Sequence, residues 1–184
     1  CIAIQSNQND QHGGQSVVNF DYGMADGVRK TFKRLYRQNM ARALMLLEDE
    51  SDPEQELKAV MADLEKKTGL CPILAGSGEY FAAERAALTP RFGDEAIVEK
   101  AQKFAQQRAV KETDRATYQA MEALIHNLNT MHSRAGAQTP FSSINYGMDT
   151  SSEGRMVMKN VMLATEAGLG GGETPIFPIQ IFRV

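Results

Sequence analysis

The sequence predicts an α/β fold built on a parallel sheet or a segment of a barrel. Three observations predict it. A short apolar run lies at 2–5, period-two alternation returns at 140–146 and 176–182, and residues between these segments repeat their apolar positions every three or four residues. Strands separated by helices are typical of parallel pairing, because a parallel crossover needs a long connection.

Composition narrows the class of protein. Of 184 residues, 42% are hydrophobic and 23% charged, which favours a globular domain over a disordered chain. The formal charge of -3 argues against nucleic-acid or membrane binding by charge. No apolar run approaches the roughly 20 residues of a membrane span, and no signal peptide is recognisable. We therefore expect a cytoplasmic protein with no nucleic-acid partner and no membrane association.

Both ends of the sequence interrupt apolar stretches. Cys1 stands where an initiator Met is expected, and Val184 closes an apolar run. Natural domains usually end in polar, frayed segments. We therefore expect an internal fragment of a longer protein.

Two helices are predicted in the first half of the chain. The first begins near Asp26, and its expected buried face is Val28, Phe32, Leu35, Asn39, Arg42 and Leu46. The second begins at Asp52-Pro53, buries Leu57, Val60, Met61 and Leu64, and ends at Gly69. Residues 70–93 contain three glycines and Pro90, and these residues favour turns. We therefore predict a linker with little regular structure in this stretch.

A long helical region follows from Asp94. Its first stripe is Ile97, Ala101, Phe104 and Ala105, and Thr113 or Asp114 is expected to cap a second helix. The apolar face of that second helix is Tyr118, Met121, Leu124, Ile125, Leu128 and Met131. Methionines suit helix–helix contacts, so this face is either intramolecular core, which we favour, or a dimer surface.

The last third of the chain alternates strand, helix and strand. In the strand 140–146, Phe141, Ser143 and Asn145 share one face, and Ser142 and Ile144 the other. Ser151 or Ser152 caps the helix, which Gly168 and the following glycines end. Its expected inner face is Met156, Val157, Asn160, Val161 and Ala164. The final strand places Phe177, Ile179 and Ile181 on one face.

Short motifs alone do not name a reaction. The loop 11–15 contains Gly13-Gly14, which can approach a phosphate, but it is not a Walker A loop and a tight turn is the better interpretation. The loop 134–138 places an arginine beside a glycine, which suits either a nucleotide phosphate or a helix C-terminus. The three histidines are too dispersed for a metal site, and two cysteines form neither a disulfide framework nor a four-cysteine zinc site.

Longer segments of the sequence indicate a protein family more specifically than these short motifs do. NLNTMHSRAGAQTPFSSINYG at 127–147 and EAGLGGGETPIFPIQIF at 166–182 resemble signature stretches of anaerobic, class III ribonucleoside-triphosphate reductases. The segments 5–15, 19–24 and 111–122 are similar to that family as well, in the family's order. Val17-Val18, Met148 and Gly171 depart from the family's usual residues, and none of them is a residue that we assign to chemistry.

The resemblance implies a fold and a reaction. The fold is a ten-stranded α/β barrel of the ribonucleotide reductase and glycyl-radical enzyme type. This chain would be an internal fragment, with a helical dimer and effector region at about 25–134 and barrel strands near 1–5, 140–146 and 176–182. The parent would be an oxidoreductase that makes deoxyribonucleotides for DNA replication. It would use a glycyl radical, a cysteine thiyl radical, formate and a structural zinc, and a radical-SAM activase would install the glycyl radical.

Site residues follow from the same resemblance. No catalytic residue and no metal ligand is expected in this chain, because the radical-bearing cysteine and glycine are not found in it. Ser143 and Asn145 are polar on a strand face that would line the barrel, and polar groups there need a partner, so we expect them to contact the ribonucleoside triphosphate substrate. Hydrogen bonds to neighbouring strands or loops are the equal alternative. Arg134, Gly136 and Gln138 are expected to bind ATP or a deoxynucleotide effector, since an Arg-Gly-Gly-Ala stretch relays effector identity in the aerobic reductases. The preceding helix, through Tyr118, Met121, Ile125 and Leu128, would meet its symmetry mate in an allosteric homodimer.

Two other classes remain open from the sequence. One is another glycyl-radical enzyme with the same barrel, which the long strings argue against. The other is a noncatalytic nucleotide-binding regulatory protein. The reading frame on both sides of this segment would distinguish them.

Overall fold

The computed structural model of the protein describes residues 3–4, 14–48, 53–131 and 139–184. Within these ranges the chain is mostly helical and carries one small sheet. Its elements are β1 (Gln15–Val17), α1 (Phe20–Glu48), α2 (Glu54–Thr68), α3 (Gly78–Phe92), α4 (Glu95–Thr130), β2 (Ser142–Tyr146), α5 (Ser152–Ala167) and β3 (Ile179–Phe182).

The chain divides into two compact units. The first comprises Cys1–Val28 and Asp114–Val184, and it contains the sheet, α5 and the second half of α4. The second comprises Arg29–Thr113, and it contains α2, α3, most of α1 and the first half of α4.

The sheet of the first unit is parallel, as the alternation of strands and helices predicted. Its order is β1-β2-β3, and both pairs run parallel. The first strand lies elsewhere than expected. Ala3 and Ile4 are helical, whereas β1 is formed by Gln15–Val17, at the end of the predicted loop 11–15. Pairing with β2 decides this, because the Gln15 amide donates to the Phe141 carbonyl at 2.9 Å and overrides weak strand propensity.

Helix α5 confirms its predicted bounds and most of its predicted inner face, of which Met156 is only half-buried. The Ser151 hydroxyl accepts a hydrogen bond from the Gly154 amide at 3.1 Å, which is the N-cap geometry, and Gly168 follows the last turn. Val157, Val161 and Ala164 are buried, as is Asn160. The Gln180 amide of β3 donates to the Thr165 hydroxyl of α5 at 2.5 Å, which ties the helix to the sheet.

Helix α4 is a single element, and the predicted break at Thr113 or Asp114 is wrong. Thr113 is fully buried. The Asp114 carboxylate accepts hydrogen bonds from Lys159 Nζ and Asn160 Nδ2, both at 2.8 Å, so it binds α5 instead of capping a new helix.

The methionine-containing face of α4 is intramolecular core. Met121, Ile125 and Leu128 are buried by the chain itself. Because those side chains are already covered, the prediction that they face a symmetry mate is wrong. Tyr118 and Leu124 are half-buried, and Met131 is exposed.

Helix α1, most of which lies in the second unit, differs from its prediction in two respects. Helix α1 begins at Phe20 rather than near Asp26, and Leu46 is 84% exposed. Its buried side chains in this unit include Phe32, Tyr36, Met40 and Leu44, together with Asn39. Phe32 packs with Tyr36, which packs with Tyr80, and the buried face therefore lies away from Leu35 and Arg42.

Helix α3 occupies most of the stretch that the sequence predicted to be an irregular linker. The Ser77 hydroxyl accepts a hydrogen bond from the Tyr80 amide at 3.3 Å and caps it. Gly78 falls at the first position and Pro90 in the last turns, so neither interrupts the middle of the helix. Gly69, with φ of 71°, ends α2 as predicted.

Candidate functional site

The two faces of the sheet differ in exposure. Burial alternates along β2: Ser142, Ile144 and Tyr146 are buried, whereas Ser143 and Asn145 are half-buried. In the parallel register, Ser143 pairs with Ile179 and Asn145 with Ile181. We call the side that carries Ser16, Ser143, Asn145, Ile179 and Ile181 the open face. The predicted sharing of one face by Ser143 and Asn145 is therefore confirmed.

The open face combines apolar and polar groups. Ile179 is 54% exposed and Ile181 is 44% exposed. On Asn145, which pairs with Ile181, the Oδ1 atom is buried and accepts no hydrogen bond from any residue that the structure describes. A buried acceptor without a partner costs about 1–3 kcal/mol, so this atom calls for a donor from outside the described residues.

The turn after β2 is held by a carboxylate from α1. Asp21 Oδ2 accepts hydrogen bonds from the Gly147 and Asp149 amides, both at 2.9 Å, and Oδ1 accepts from the Tyr22 amide at 3.0 Å. Burial alone would raise the pKa of Asp21, but the backbone donors outweigh it and the pKa lies below its ordinary value. Asp21 is therefore an ionised anchor for the carboxyl end of β2, directly beyond Asn145.

Gly147 permits the close approach of β2 and the segment after β3. Its φ is 121°, and a Cβ at this position would lie 2.3 Å from the Arg183 carbonyl oxygen. The Arg183 amide donates to the Tyr146 carbonyl at 2.8 Å. Only glycine fits this approach without moving the backbone.

A glycine-rich turn leads from α5 toward β3. The Leu169 amide donates to the Glu173 carbonyl at 3.1 Å, and a Cβ at Gly168 would lie 2.6 Å from that same carbonyl oxygen. Gly168, Gly170 and Gly172 all have positive φ. Backbone geometry thus explains these glycines without a phosphate ligand.

Several predicted site residues lie outside the described ranges. Arg134, Gly136 and Gln138 do, as does the loop 5–13 with Gly13, so the effector-binding prediction stays a prediction. His126 is exposed on α4. Across the described ranges, no group of three or more His, Cys, Asp or Glu side chains is placed to hold a metal ion. No described helix is long and apolar enough to cross a membrane.

The open face is suited to binding rather than to bond cleavage. Among the described residues it presents hydroxyls, a carboxamide and aliphatic side chains, and no paired acid, base or thiol. Such a mixture fits a ligand with hydroxyl donors and an apolar edge.

Two further residues shape this site, and neither is recognisable as a site residue from the sequence. Asp21 is one, and Asn129, which binds the backbone just before β3, is the other. An acidic residue in the first turn of α1 signals a helix N-terminus. Nothing in the local sequence indicates partners 126 and 128 residues away.

Comparison with known proteins gives one consistent result. The family model for anaerobic ribonucleoside-triphosphate reductase matches residues 1–184. The protein of that name from Escherichia coli (strain K12) is 34% identical over 85 residues, which are 46% of this chain and 11% of that protein. The one from Salmonella typhimurium is 34% identical over 92 residues, 50% of this chain and 12% of that protein.

A phage protein is similar in the same way. The anaerobic ribonucleoside-triphosphate reductase of Enterobacteria phage T4 is 38% identical over 77 residues, which are 41% of this chain and 13% of that protein. These alignments span between 11% and 13% of the relatives' lengths. Since the family model matches the chain from its first residue to its last, the chain belongs to the anaerobic ribonucleoside-triphosphate reductase family.

Proposed function

We propose that this chain forms part of the barrel wall of a cytoplasmic, glycyl-radical ribonucleotide reductase, with the open face toward the substrate. The observation that most directly supports this proposal is the Asn145 carboxamide, whose buried Oδ1 has no hydrogen-bond donor among the described residues. A ribose hydroxyl is a donor of the required kind. Ile179 and Ile181 would contact the less polar edge of the sugar and exclude water from it.

The proposed reaction reduces the ribose 2′-carbon of a ribonucleoside triphosphate. Formate supplies the two electrons, and the 2′-hydroxyl leaves as water. The radical steps, which begin when a thiyl radical removes the 3′-hydrogen, belong to residues outside these 184. The role of this chain is to hold the ribose through Asn145 and Ser143 while Asp21 keeps the end of β2 in place.

The remaining parts of the proposal come from family membership. We propose a ten-stranded barrel to which β1, β2 and β3 contribute. The parent would have a radical-SAM activase as partner and a structural zinc site. Cys1 and Cys71 cannot supply a zinc site of four cysteines, so those ligands would come from elsewhere in the protein. ATP or deoxynucleotide effectors would bind at Arg134, Gly136 and Gln138. A homodimer would use surfaces other than the buried Met121, Ile125 and Leu128.

The direct test is turnover. A full-length protein containing this segment, activated without oxygen and supplied with formate, should convert a ribonucleoside triphosphate into its deoxy form. The isolated 184-residue chain should not, because it lacks the radical positions. Turnover by the isolated chain would overturn its role as a wall segment.

The residue-level test is Asn145→Ala in the full-length enzyme. Losing a hydrogen bond of about 1–3 kcal/mol should lower kcat/KM by about 5-fold to 150-fold, with effector affinity unchanged. Asn145→Asp, which keeps an acceptor at the same place, is the matched control and should retain more activity. Unchanged steady-state kinetics for Asn145→Ala would exclude the substrate role.

A further inference from the structure

The carboxamide of Asn129, in the last turn of α4, binds the backbone just before β3. Its Nδ2 donates to the Phe177 carbonyl at 2.6 Å and to the Ile125 carbonyl of its own helix at 2.7 Å. Its Oδ1 accepts from the Ile176 amide at 2.8 Å and from the Phe177 amide at 3.0 Å. All four hydrogen-bonding positions of the carboxamide are therefore used.

This set of bonds requires an amide. A carboxylate offers no donor for the two carbonyls, and an aliphatic side chain of the same size offers neither donor nor acceptor. Because three of the four bonds reach the backbone of Ile176 and Phe177, the contact fixes the path of the chain rather than the identity of those side chains.

The held segment leads directly into β3. Among the described strands, β3 pairs only with β2 and lies at the edge of the sheet. Within the described residues, β2 and Asn129 are thus two separate attachments of this segment, the first along β3 and the second at its entry. Ile179 and Ile181 follow within four residues and lie beside Ser143 and Asn145 in the register.

We propose that Asn129 is a positioning residue for the substrate face: its carboxamide fixes the entry of β3 and thereby places Ile179 and Ile181 beside Asn145. The inference rests on the proposed function, since it assumes that the open face holds the ribose. A displacement of about 1 Å at a substrate contact can lower the rate by about 100-fold, so a single anchor outside the face matters to turnover.

The test compares Asn129→Leu and Asn129→Ala with Asn127→Leu in the full-length enzyme. Asn127 is the same residue type on the same helix, and its side chain makes no hydrogen bond within the described ranges. Two quantities are measured: amide hydrogen exchange across 176–182, and the KM and kcat for one ribonucleoside triphosphate. KM does not depend on the fraction of active enzyme, so a variant that only folds less well would leave KM unchanged.

For both Asn129 variants we expect exchange across 176–182 to accelerate at least about 10-fold, KM to rise, and kcat/KM to fall by about 10-fold to 100-fold relative to the control. The inference is overturned if KM stays within about twofold of the Asn127→Leu value, or if exchange across 176–182 does not change. If the unmutated enzyme reduces no ribonucleotide, the proposed function fails, and the exchange comparison still decides whether Asn129 holds β3. Asn129→Ala covers the case in which the bulkier leucine prevents folding.

Discussion

Glu84 is a carboxyl group buried in the second unit among three side-chain donors. It accepts hydrogen bonds from the Tyr36 hydroxyl at 2.6 Å, the Tyr80 hydroxyl at 2.8 Å and Gln102 Nε2 at 2.8 Å. Burial raises the pKa of Glu84 above its ordinary value, and the three hydrogen bonds lower it without offsetting the burial. Burial and the nearby Glu84 also raise the pKa of Tyr36 and of Tyr80, which keeps both phenols protonated as donors.

The pKa of Glu84 predicts a pH dependence of stability. Because the folded pKa lies above the ordinary 4.5, the folded state binds more protons between those two values. The free energy of unfolding should therefore fall as pH rises from 4.5 through the folded pKa, and level off above it. Glu84→Gln removes the titrating group and should flatten that dependence.

The measurement is the hydrogen-exchange protection of α3 amides at a series of pH values. Glu79→Gln, an exposed carboxyl on the same helix, is the control and should keep the dependence of the unmutated protein. Identical pH profiles for Glu84→Gln and Glu79→Gln would contradict the assignment. Glu84→Ala should be more damaging than either, because it leaves three buried donors without an acceptor.

The helices differ most from the pattern that the sequence predicts. The stretch with α3 contains Gly76, Gly78, Pro90 and Gly93, whose usual meaning is a turn. All four fall outside or near the ends of α3, where they are tolerated. Residues 79–89 between them are rich in alanine and glutamate, which favour helix, and that composition was the signal for α3.

Replacing glycine by alanine should have opposite effects on stability at Gly23, inside α1, and at Gly147, directly after β2. Gly23 lies in α1 with open space where a Cβ would stand, so Gly23→Ala should stabilise the first unit by about 0.5–1 kcal/mol. Gly147→Ala places a Cβ against the Arg183 carbonyl at a positive φ and should destabilise the sheet. Protection of the β2 and β3 amides measures both effects. Equal protection in the two variants would mean that the β2–β3 approach does not depend on Gly147.

At the scale of the whole enzyme, the prediction concerns how a bound effector nucleotide changes substrate preference through Gln138. We propose that Gln138 reads the effector, so full-length Gln138→Ala should still reduce ribonucleotides but respond less to a deoxynucleotide effector. Couplings between sites are typically about 1–3 kcal/mol, so substrate preference should change rather than activity disappear. Competition between two ribonucleotides, with and without the effector, measures this. An effector response as strong as in the unmutated enzyme would exclude Gln138 from the relay.

The candidate site was partly predictable. Period-two alternation in β2 placed Ser143 and Asn145 on one face, because side chains of a strand alternate whatever the strand pairs with. Asp21 and Asn129 were not predictable, since their partners lie 126 and 47 residues away along the chain. A side chain that binds the backbone of a distant segment produces no periodic pattern in the sequence, so neither contact can be predicted from it.

The sequence alone predicts the family, the parallel α/β pattern, the cap of α5 with most of its inner face, and the two faces of β2. Each depends on residues close together in the chain or on long strings of residue identity. The position of β1, the continuity of α4 at Thr113 and the buried side of α1 follow only from packing in the folded chain. These depend on packing partners: β2 supplies a ladder for Gln15–Val17, and Lys159 and Asn160 bind Asp114. Such partners outweigh local propensity because burial and hydrogen bonding contribute more free energy than propensity differences of a few tenths of a kcal/mol per residue.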